Sequence, residues 1–279
     1  MILSIIVSGD ACFTQRRNKG RGGCDPPQQH PTSVFVSPKV VDEMDTYVNK
    51  IRPPREPAKS KRKKSNMVEE EEEEEEDRRS AREQDKAKSK KSREVVDVEV
   101  DDKFEHPALP VPKSVLDDCE ASFKAADEKM VKSSTQFFDD TGLMALNCRH
   151  DHVLFLVNMK SAGEKQSYRY ALLMTLFSHL PVAFVIGLLY DIACQTERSA
   201  RLWGFLPPEY LARLQFAVSV LHVFGHHWVC QLKYHPRRRT LFGLSDGEGT
   251  ERFWHSISKL VSYLRVCGVS VLLSFCPFC

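Results

Sequence analysis

The sequence contains no apolar run long enough to cross a membrane and no cysteine spacing typical of a disulfide scaffold. A helix needs about 20 consecutive apolar residues to span a bilayer, whereas the apolar stretches of this chain are of strand length. The opening MILSIIV is also too short for a secretory signal. The nine cysteines are scattered, which is typical of a reducing compartment. These absences predict a soluble protein of the cytosol or nucleus.

Residues 52–103 lack aromatic side chains altogether and have few large apolar ones. Basic and acidic residues are nearly equal in number there, and glutamate fills every position from Glu69 to Glu76. Such a segment cannot bury enough apolar surface to offset the conformational entropy that it would lose on ordering. We predict a disordered insertion, with a lone solvated helix as the alternative. The net charge of +2 averages these opposed blocks and says little about partners.

The remaining sequence alternates between strand-like and helix-like apolar patterns. Short β-branched runs predict strands, and apolar residues recurring every three to four positions predict amphipathic helices. The predicted strands are residues 2–13, 143–148, 152–158 and 181–191, and the predicted helices are residues 38–51, 114–132, 163–180, 195–216 (interrupted by Pro207 and Pro208) and 247–266. Residues 217–224 fit either a strand or the start of a helix. This order predicts an α/β fold with ribonuclease-H-like connectivity: a mixed sheet flanked by helices, with the disordered charged insertion after its first strand.

Three acidic motifs lie far apart in the chain. Apolar strand-like runs deliver Asp10 in SIIVSGDACF and Asp191 in VIGLLYDIACQ, and a glycine-containing turn delivers Glu248 in LSDGEGTERFW at the start of a helix. Carboxylate oxygens are the ligands that Mg2+ prefers, and this ion is commonly shared with phosphate. Two such ions stabilise the attacking and leaving oxygens of a phosphoryl displacement. The three acids therefore predict a site for Mg2+ or Mn2+ with nuclease or strand-transfer chemistry.

Each acid also has an ordinary structural explanation. Asp10 could begin a turn after its strand, and Asp191 could cap the following helix. Glu248 could complement the dipole of the helix that it begins, and the neighbouring glycines could allow close approach to another group, such as a phosphate. Glu251, one helical turn later, is the alternative third acid.

A second cluster of potential ligands has the spacing His-x3-His-x3-Cys at His222, His226 and Cys230. Residues four apart share a helix face, so the two histidines could hold a zinc ion together with Cys194 or Cys230. Three ligands along two helical turns span about 12 Å, however, which is too far for all three to meet one ion. The alternative is that these residues belong to the core. The only C-x-x-C pair, Cys276 with Cys279, provides too few ligands for a structural zinc site.

Basic residues follow the first acidic motif and precede the third. Their side chains could neutralise the phosphates of DNA, with a solvated loop as the alternative. The runs KSKRKK at 59–64 and KAKSKKSR at 86–93 are typical of nuclear-localisation or nucleic-acid-binding tails. The candidate DNA-binding residues next to the acidic motifs are Arg16, Arg17, Arg237, Arg238 and Arg239.

The motifs DACF, YDIACQ, GHHWVCQLKYHPR and GLSDGEGTERFW resemble those of the Kyakuja-Dileera-Zisupton (KDZ) transposases of the cysteine-cluster-associated type, roughly over residues 1–50 and 104–267. These are eukaryotic DNA transposases, common in fungi, with a ribonuclease-H-like core and a DDE triad. The resemblance implies that Asp10, Asp191 and Glu248 form the triad and bind Mg2+ or Mn2+. It further implies nuclear localisation, with transposon ends and target DNA as partners. It is also compatible with assembly into a homo-oligomer.

The resemblance also divides the chain. Residues 1–51 hold the first core strand, a loop and a short helix, residues 52–103 the insertion, residues 104–268 the rest of the core, and residues 269–279 an atypical tail. Family members extend further in both directions, so a truncated fragment is expected, and truncation could make it inactive. Two other functions compete with catalysis: a non-catalytic transposon relic that binds DNA or chromatin, and a zinc-stabilised interaction module.

Overall fold

The computed structural model describes residues 3–18, 34–52, 104–127, 138–161 and 163–264. Within these residues, five strands form one mixed sheet and two short strands form a separate pair. The sheet contains β1 (Leu3–Cys12), β4 (Gly142–Cys148), β5 (Val153–Met159), β6 (Phe184–Tyr190) and β7 (Leu214–Ala217), and the pair contains β2 (Arg17–Asn18) and β3 (Phe138–Asp140).

Helices cover the sheet. The α-helices are α1 (Pro38–Ile51), α2 (Lys113–Asp127), α3 (Gln166–His179), α4 (Ala193–Trp203), α5 (Pro208–Leu211), α6 (Val220–Val223), α7 (Trp228–Tyr234), α8 (Gly249–Ile257) and α9 (Val261–Leu264), with 3-10 turns at Pro236–Arg238 and Ser258–Leu260. Of the helices in the described segments, none combines the length and the apolar character that a membrane crossing requires.

Strand β1 lies at the centre of the sheet, in the order β5-β4-β1-β6-β7. Strand β4 pairs antiparallel with β1 and β5, whereas β6 pairs parallel with β1 and β7. The carboxyl ends of β1, β6 and β7 consequently meet at one edge of the sheet. The middle of β1, from Ile6 to Gly9, is buried, as expected for a central strand that is covered on both faces.

The two faces of the sheet carry different layers, because alternate residues of a strand point in opposite directions. Val7 and Met144 join the largest apolar cluster, which includes α1 and α3. Ala145 points the other way, where Phe253 and Trp254 of α8 cover it. Helix α8, which carries the third acidic motif, therefore packs on β1 and β4 from the face opposite to α3.

The predicted mixed α/β architecture is confirmed, including the β4–β5 hairpin and strand β6. The end of the predicted helix 195–216 is wrong, because residues from Leu214 onward form β7. Leu214 and Phe216 are buried beside β6 and pair with Ile186 and Leu188, so sheet pairing outweighs local helical preference there. Within 217–224, the strand ends at once and the short helix α6 follows.

Several predicted segments lie outside the described residues. They are the disordered insertion from residue 53 to 103, the basic runs at 59–64 and 86–93 within it, and the atypical tail 269–279. The pair Cys276 and Cys279 lies in the same undescribed tail. These predictions therefore stay predictions.

Candidate active site and metal centre

Asp10 and Asp191 lie next to each other at one edge of the sheet. Gly9 of β1 is in register with Tyr190 of β6, so the next residue along each strand is an aspartate at the same edge. Both strands are largely buried and hold the two carboxylates on a rigid support. The two strand-end acids singled out from the sequence are thus brought together.

Burial raises the pKa of both carboxyl groups, because an ionised carboxylate loses hydration away from water. The pKa of Asp10 is raised to about 8, first by burial and then by the negative charges of Asp191 and Glu164. The pKa of Asp191 is raised to about 7, first by burial, with further contributions from Glu164, Glu251 and Glu248. Burial and the negative charges of the neighbouring acids thus both disfavour ionisation of the two aspartates.

Glu164 was not among the residues singled out from the sequence. It lies between β5 and the start of α3, and its negative charge raises the pKa of both Asp10 and Asp191. The surrounding GEKQS has no strand-like run that could have marked it. Glu164 comes close enough to act on the two aspartates only because the β5–α3 connection returns to the edge of the sheet where β1 and β6 end.

Glu248 immediately precedes α8 and is 7% exposed. Its Oε1 accepts a hydrogen bond from the Leu221 backbone N–H at 2.9 Å, and its buried Oε2 has no hydrogen-bond partner among the described residues. Glu251 is exposed in the first turn of α8. Both negative charges act on Asp191, and that of Glu251 acts more strongly. Either glutamate can therefore serve as the third acid.

The buried orphan oxygen of Glu248 and the raised pKa values of the two aspartates fit a cation bound through oxygen. The acids are nevertheless spread out: across the described segments, no three carboxylates place their oxygens within 4.8 Å of one another. Mg2+ usually keeps several waters and shares its other positions with carboxylates and phosphate. An open arrangement of this kind leaves positions for water and for substrate oxygens.

Neighbouring side chains orient the two aspartates. Trp254 Nε1 of α8 donates a hydrogen bond to Asp10 Oδ2 at 2.7 Å. The Ser219 hydroxyl donates to Asp191 Oδ1 at 3.2 Å, and His222 Nδ1 lies 3.0 Å from the same oxygen. His222, which the sequence suggested as a zinc ligand, thus contacts Asp191. We call the group of Asp10, Asp191 and Glu248 the acid centre.

The glycines of LSDGEGTERFW let the start of α8 approach the rest of the chain. Gly247 has a φ of 85°, a conformation that strains other residues, and a Cβ there would lie 3.0 Å from the side chains of Leu189 and Ser219. A Cβ on Gly249 would lie 2.7 Å from Asp151 Oδ1. These contacts within the chain account for both glycines without a phosphate.

Arg252 fastens α8 to the loops on either side of it. Its guanidinium donates to both carboxylate oxygens of Asp151, each at 2.7 Å, and to Asp246 at 2.9 Å. Because Arg252 donates these hydrogen bonds, the pKa of Asp246 is held below its usual range. Helix α8, which contains Glu251 and directly follows Glu248, is therefore fixed relative to the β4–β5 turn.

Cys119, Cys194, His226 and Cys230 form a compact cluster on the other side of Asp191. Their ligand atoms lie within 4.8 Å of one another, and no other group of three or more His, Cys, Asp or Glu side chains in the described part of the chain is so close. The three cysteines are buried and form no disulfide. His226 Nδ1 lies 3.5 Å from Cys194 Sγ and 3.4 Å from Cys230 Sγ. This Cys3His set could hold a metal ion such as zinc.

The cluster contains His226 and Cys230 from the predicted zinc set, together with Cys194, which the sequence offered as an alternative. It does not contain His222, because α6 ends at Val223 and the chain turns before α7 begins. Cys119 was missed, since it lies on the distant α2 and has no cysteine or histidine beside it in the sequence. Its pKa is held well below the ordinary range by hydrogen bonds from the other two thiols.

Arg16 and Arg17 lie just beyond the carboxyl end of β1, on the same side of the sheet as the acids. Arg16 Nε donates to the carbonyl oxygen of Phe13 at 2.8 Å. Arg17 pairs with Asp140 at 2.9 Å and with Asp139 at 3.1 Å, so its charge is partly neutralised within the chain.

The second group of predicted DNA-binding arginines lies between α7 and α8. Arg237 donates to the carbonyl oxygens of Gly243 and Ser245 at 3.1 and 2.7 Å. Arg238 and Arg239 line a cavity of about 530 Å³ beside the start of β7. Because β7 runs parallel to β6, its start is at the end of the sheet away from the two aspartates. Arg238 and Arg239 thus lie away from the two aspartates, whereas Arg237 contacts the turn that leads to Glu248. Their role in DNA binding stays a prediction.

The chain matches a known family over nearly its whole length. The sequence model described as Kyakuja-Dileera-Zisupton transposase matches residues 3–273. That range includes the three acidic motifs and all four members of the Cys3His cluster. No curated protein and no solved structure matches the chain.

Proposed function

This chain belongs to the Kyakuja-Dileera-Zisupton (KDZ) transposase family, and we propose that it forms the catalytic core of a DDE-type DNA transposase. The proposed reaction is metal-dependent cleavage of a DNA phosphodiester, followed by transfer of the freed strand. Its partners would be transposon ends and target DNA, and it would act in the nucleus. The supporting observation is the pair Asp10 and Asp191, side by side on adjacent parallel strands with raised pKa values.

The order of the strands supports a ribonuclease-H-like core. Three antiparallel strands, β5, β4 and β1, continue into the parallel strands β6 and β7. One acid lies on the central strand and the second directly after its parallel neighbour. The third comes from α8, which packs on β1 and β4, so elements distant in sequence deliver acids to one edge.

Asp10, Asp191 and Glu248 would hold Mg2+ or Mn2+ in this proposal. When bound, the ion would supply the positive charge that stabilises the attacking and leaving oxygens of the phosphodiester. Trp254 keeps one oxygen of Asp10 in place and Ser219 does the same for Asp191. The protons that burial retains on the two aspartates would pass to solvent as the site is loaded.

The test is a DNA nicking assay with the full chain in Mg2+ or Mn2+, comparing wild type with Asp191→Asn. Asparagine preserves the side-chain volume and an oxygen that can accept the Ser219 hydrogen bond, so the expected loss of nicking reports on the carboxylate. Asp42→Ala, at an exposed position of α1, is the matched control and should leave activity unchanged. Equal nicking by wild type and Asp191→Asn would reject the catalytic assignment. Salt-dependent DNA binding by a wild type that does not nick would instead favour a non-catalytic DNA-binding relic.

A further inference from the structure

We propose that Cys119, Cys194, His226 and Cys230 bind one structural zinc ion, and that this ion fixes the backbone of Asp191 through His226. Three elements meet at the cluster. Cys119 lies on α2, Cys194 lies in the first turn of α4 directly after β6, and His226 and Cys230 flank the start of α7. The zinc site itself does not depend on the proposed nuclease function; only its effect on a catalytic Asp191 does.

The distances within the cluster fit a tetrahedral ion. Zn–S bonds of about 2.3 Å and Zn–N bonds of about 2.0 Å place neighbouring nitrogen and sulfur ligands about 3.5 Å apart. The two measured separations from His226 Nδ1, to Cys194 Sγ and to Cys230 Sγ, are 3.5 and 3.4 Å. Four protein ligands leave no position for a water, and zinc sites closed in this way are typically structural.

The second ring nitrogen of His226 sets the tautomer that zinc requires. His226 Nε2 lies 2.8 Å from the backbone carbonyl oxygen of Asp191. A carbonyl oxygen can only accept a hydrogen bond, so Nε2 carries the proton. Nδ1 therefore presents its lone pair to the sulfurs of Cys194 and Cys230. Zinc-ligating histidines commonly donate their other N–H to a backbone carbonyl, which fixes both the ring and its partner.

This arrangement gives the ion two effects. It would close a long loop between Cys119 and Cys194, which stabilises the fold because it restricts the unfolded chain. It would also hold the imidazole of His226 against the carbonyl of Asp191, on the opposite side from the carboxylate that faces the acids. A zinc ion is therefore positioned to fix the end of β6, where one of the two central acids sits.

The first experiment measures bound zinc in the full chain after dialysis. Wild type should retain a zinc equivalent that Cys119→Ser and Cys230→Ser lose. Cys148→Ser, at the half-buried end of β4 outside the cluster, is the matched control and should keep it. If a ligand variant fails to fold, Co2+ replacement in wild type gives a second readout, since thiolate ligation produces charge-transfer absorption and tetrahedral geometry intense visible bands. Absence of stoichiometric zinc from wild type, or equal zinc loss in Cys148→Ser, would overturn the site.

The second experiment tests the link to Asp191 without an activity assay. Mn2+ binding is measured by electron paramagnetic resonance in wild type carrying zinc and in the same protein after zinc removal. Loss of an outer contact of this kind lowers metal affinity about tenfold or more, and restored zinc should recover it. Equal Mn2+ affinity with and without zinc would refute the coupling. Failure of both forms to bind Mn2+ would count against the proposed function and leave the zinc stoichiometry as the independent test of the site.

Discussion

The acid centre and the Cys3His cluster lie on either side of Asp191 and differ in almost every physical respect. The acids are hard oxygen ligands spread over an open sheet edge, where burial and the charges of neighbouring acids raise the pKa of Asp10 and Asp191. The cluster offers soft sulfur and imidazole ligands whose ligand atoms lie within 4.8 Å of one another. One residue serves both, because its carboxylate faces the acids while its carbonyl accepts from His226.

The difference shows how the end of one strand can contribute to two proposed metal sites that would select different ions. Oxygen-rich sites suit Mg2+ and Mn2+, whereas thiolate sites select zinc. A closed set of four ligands is suited to stability, and an open set leaves positions for substrate. We infer that the compact cluster makes the sheet edge rigid, so that Asp10 and Asp191 can remain adjacent despite their like charges.

The largest expected effect would identify the third acid of the acid centre and so sharpen its contrast with the Cys3His cluster. Glu248→Gln should lower DNA nicking about 100-fold, or about 2.7 kcal/mol in transition-state stabilisation, because it removes a buried charge at the sheet edge. Glutamine keeps an oxygen that can accept from the Leu221 N–H, so the helix start should be preserved. Nicking rates at saturating Mn2+ measure the change.

Glu251→Gln is the matched control for that variant, since it removes the same charge one helical turn away at an exposed position. We expect its nicking rate to stay close to that of wild type. A severe loss in Glu251→Gln together with a mild one in Glu248→Gln would transfer the role of third acid to Glu251. Thermal unfolding midpoints of both variants check that neither result reflects misfolding.

A second prediction concerns the free-energy cost of the acid centre when it holds no cation. The pKa of Asp10 is raised from 3.8 to about 8, so between these values the folded protein binds more protons than the unfolded chain. Stability in magnesium-free buffer should therefore fall as the pH rises from about 4 to about 8. Asp10→Asn should abolish this part of the slope and stabilise the protein by about 1–3 kcal/mol at the upper end.

Denaturant unfolding at about pH 5 and about pH 8 measures that difference, with bound zinc retained in both samples. Asparagine can still accept from Trp254, so the contact with α8 is kept. Asp42→Asn, at an exposed position of α1, serves as control and should not alter the pH dependence. A wild type that becomes more stable over this range, or an Asp10→Asn slope equal to that of wild type, would contradict the raised pKa of Asp10.

Much of the fold was accessible from the sequence, because burial imposes a clear periodicity on strands and helices. The apolar runs gave β1 and β6, and Asp10 and Asp191 stood out because each follows such a run. Residues 214–216 were misassigned to a helix, since the four-residue strand β7 is defined by its pairing with β6 rather than by local preference. Short edge strands of this kind carry little signal of their own.

Only part of the candidate site could be predicted from the sequence, because only some of its residues share a segment. Ligands on one segment show a spacing, so His226 and Cys230 could be found. Cys119 and Glu164 come from elements that fold back to the site from far along the chain, and nothing in their immediate sequence marks them. The same spacing suggested His222 as a companion, but the cluster does not contain it, because the chain turns between α6 and α7 and His222 lies against Asp191.

The smallest expected effect tests whether Trp254 of α8 strengthens Mn2+ binding at the acid centre. The proposed zinc ion is expected to have the same effect through His226. Trp254→Phe removes the indole N–H that donates to Asp10 at 2.7 Å and keeps most of the apolar contact with β4. This hydrogen bond lowers the pKa of Asp10, so its loss should raise that pKa further and weaken Mn2+ binding up to about tenfold. Trp203→Phe, at an exposed tryptophan of α4, is the control. Equal Mn2+ affinity in both variants would mean that Trp254 only packs against the sheet, and that Asp10 is held by its strand alone.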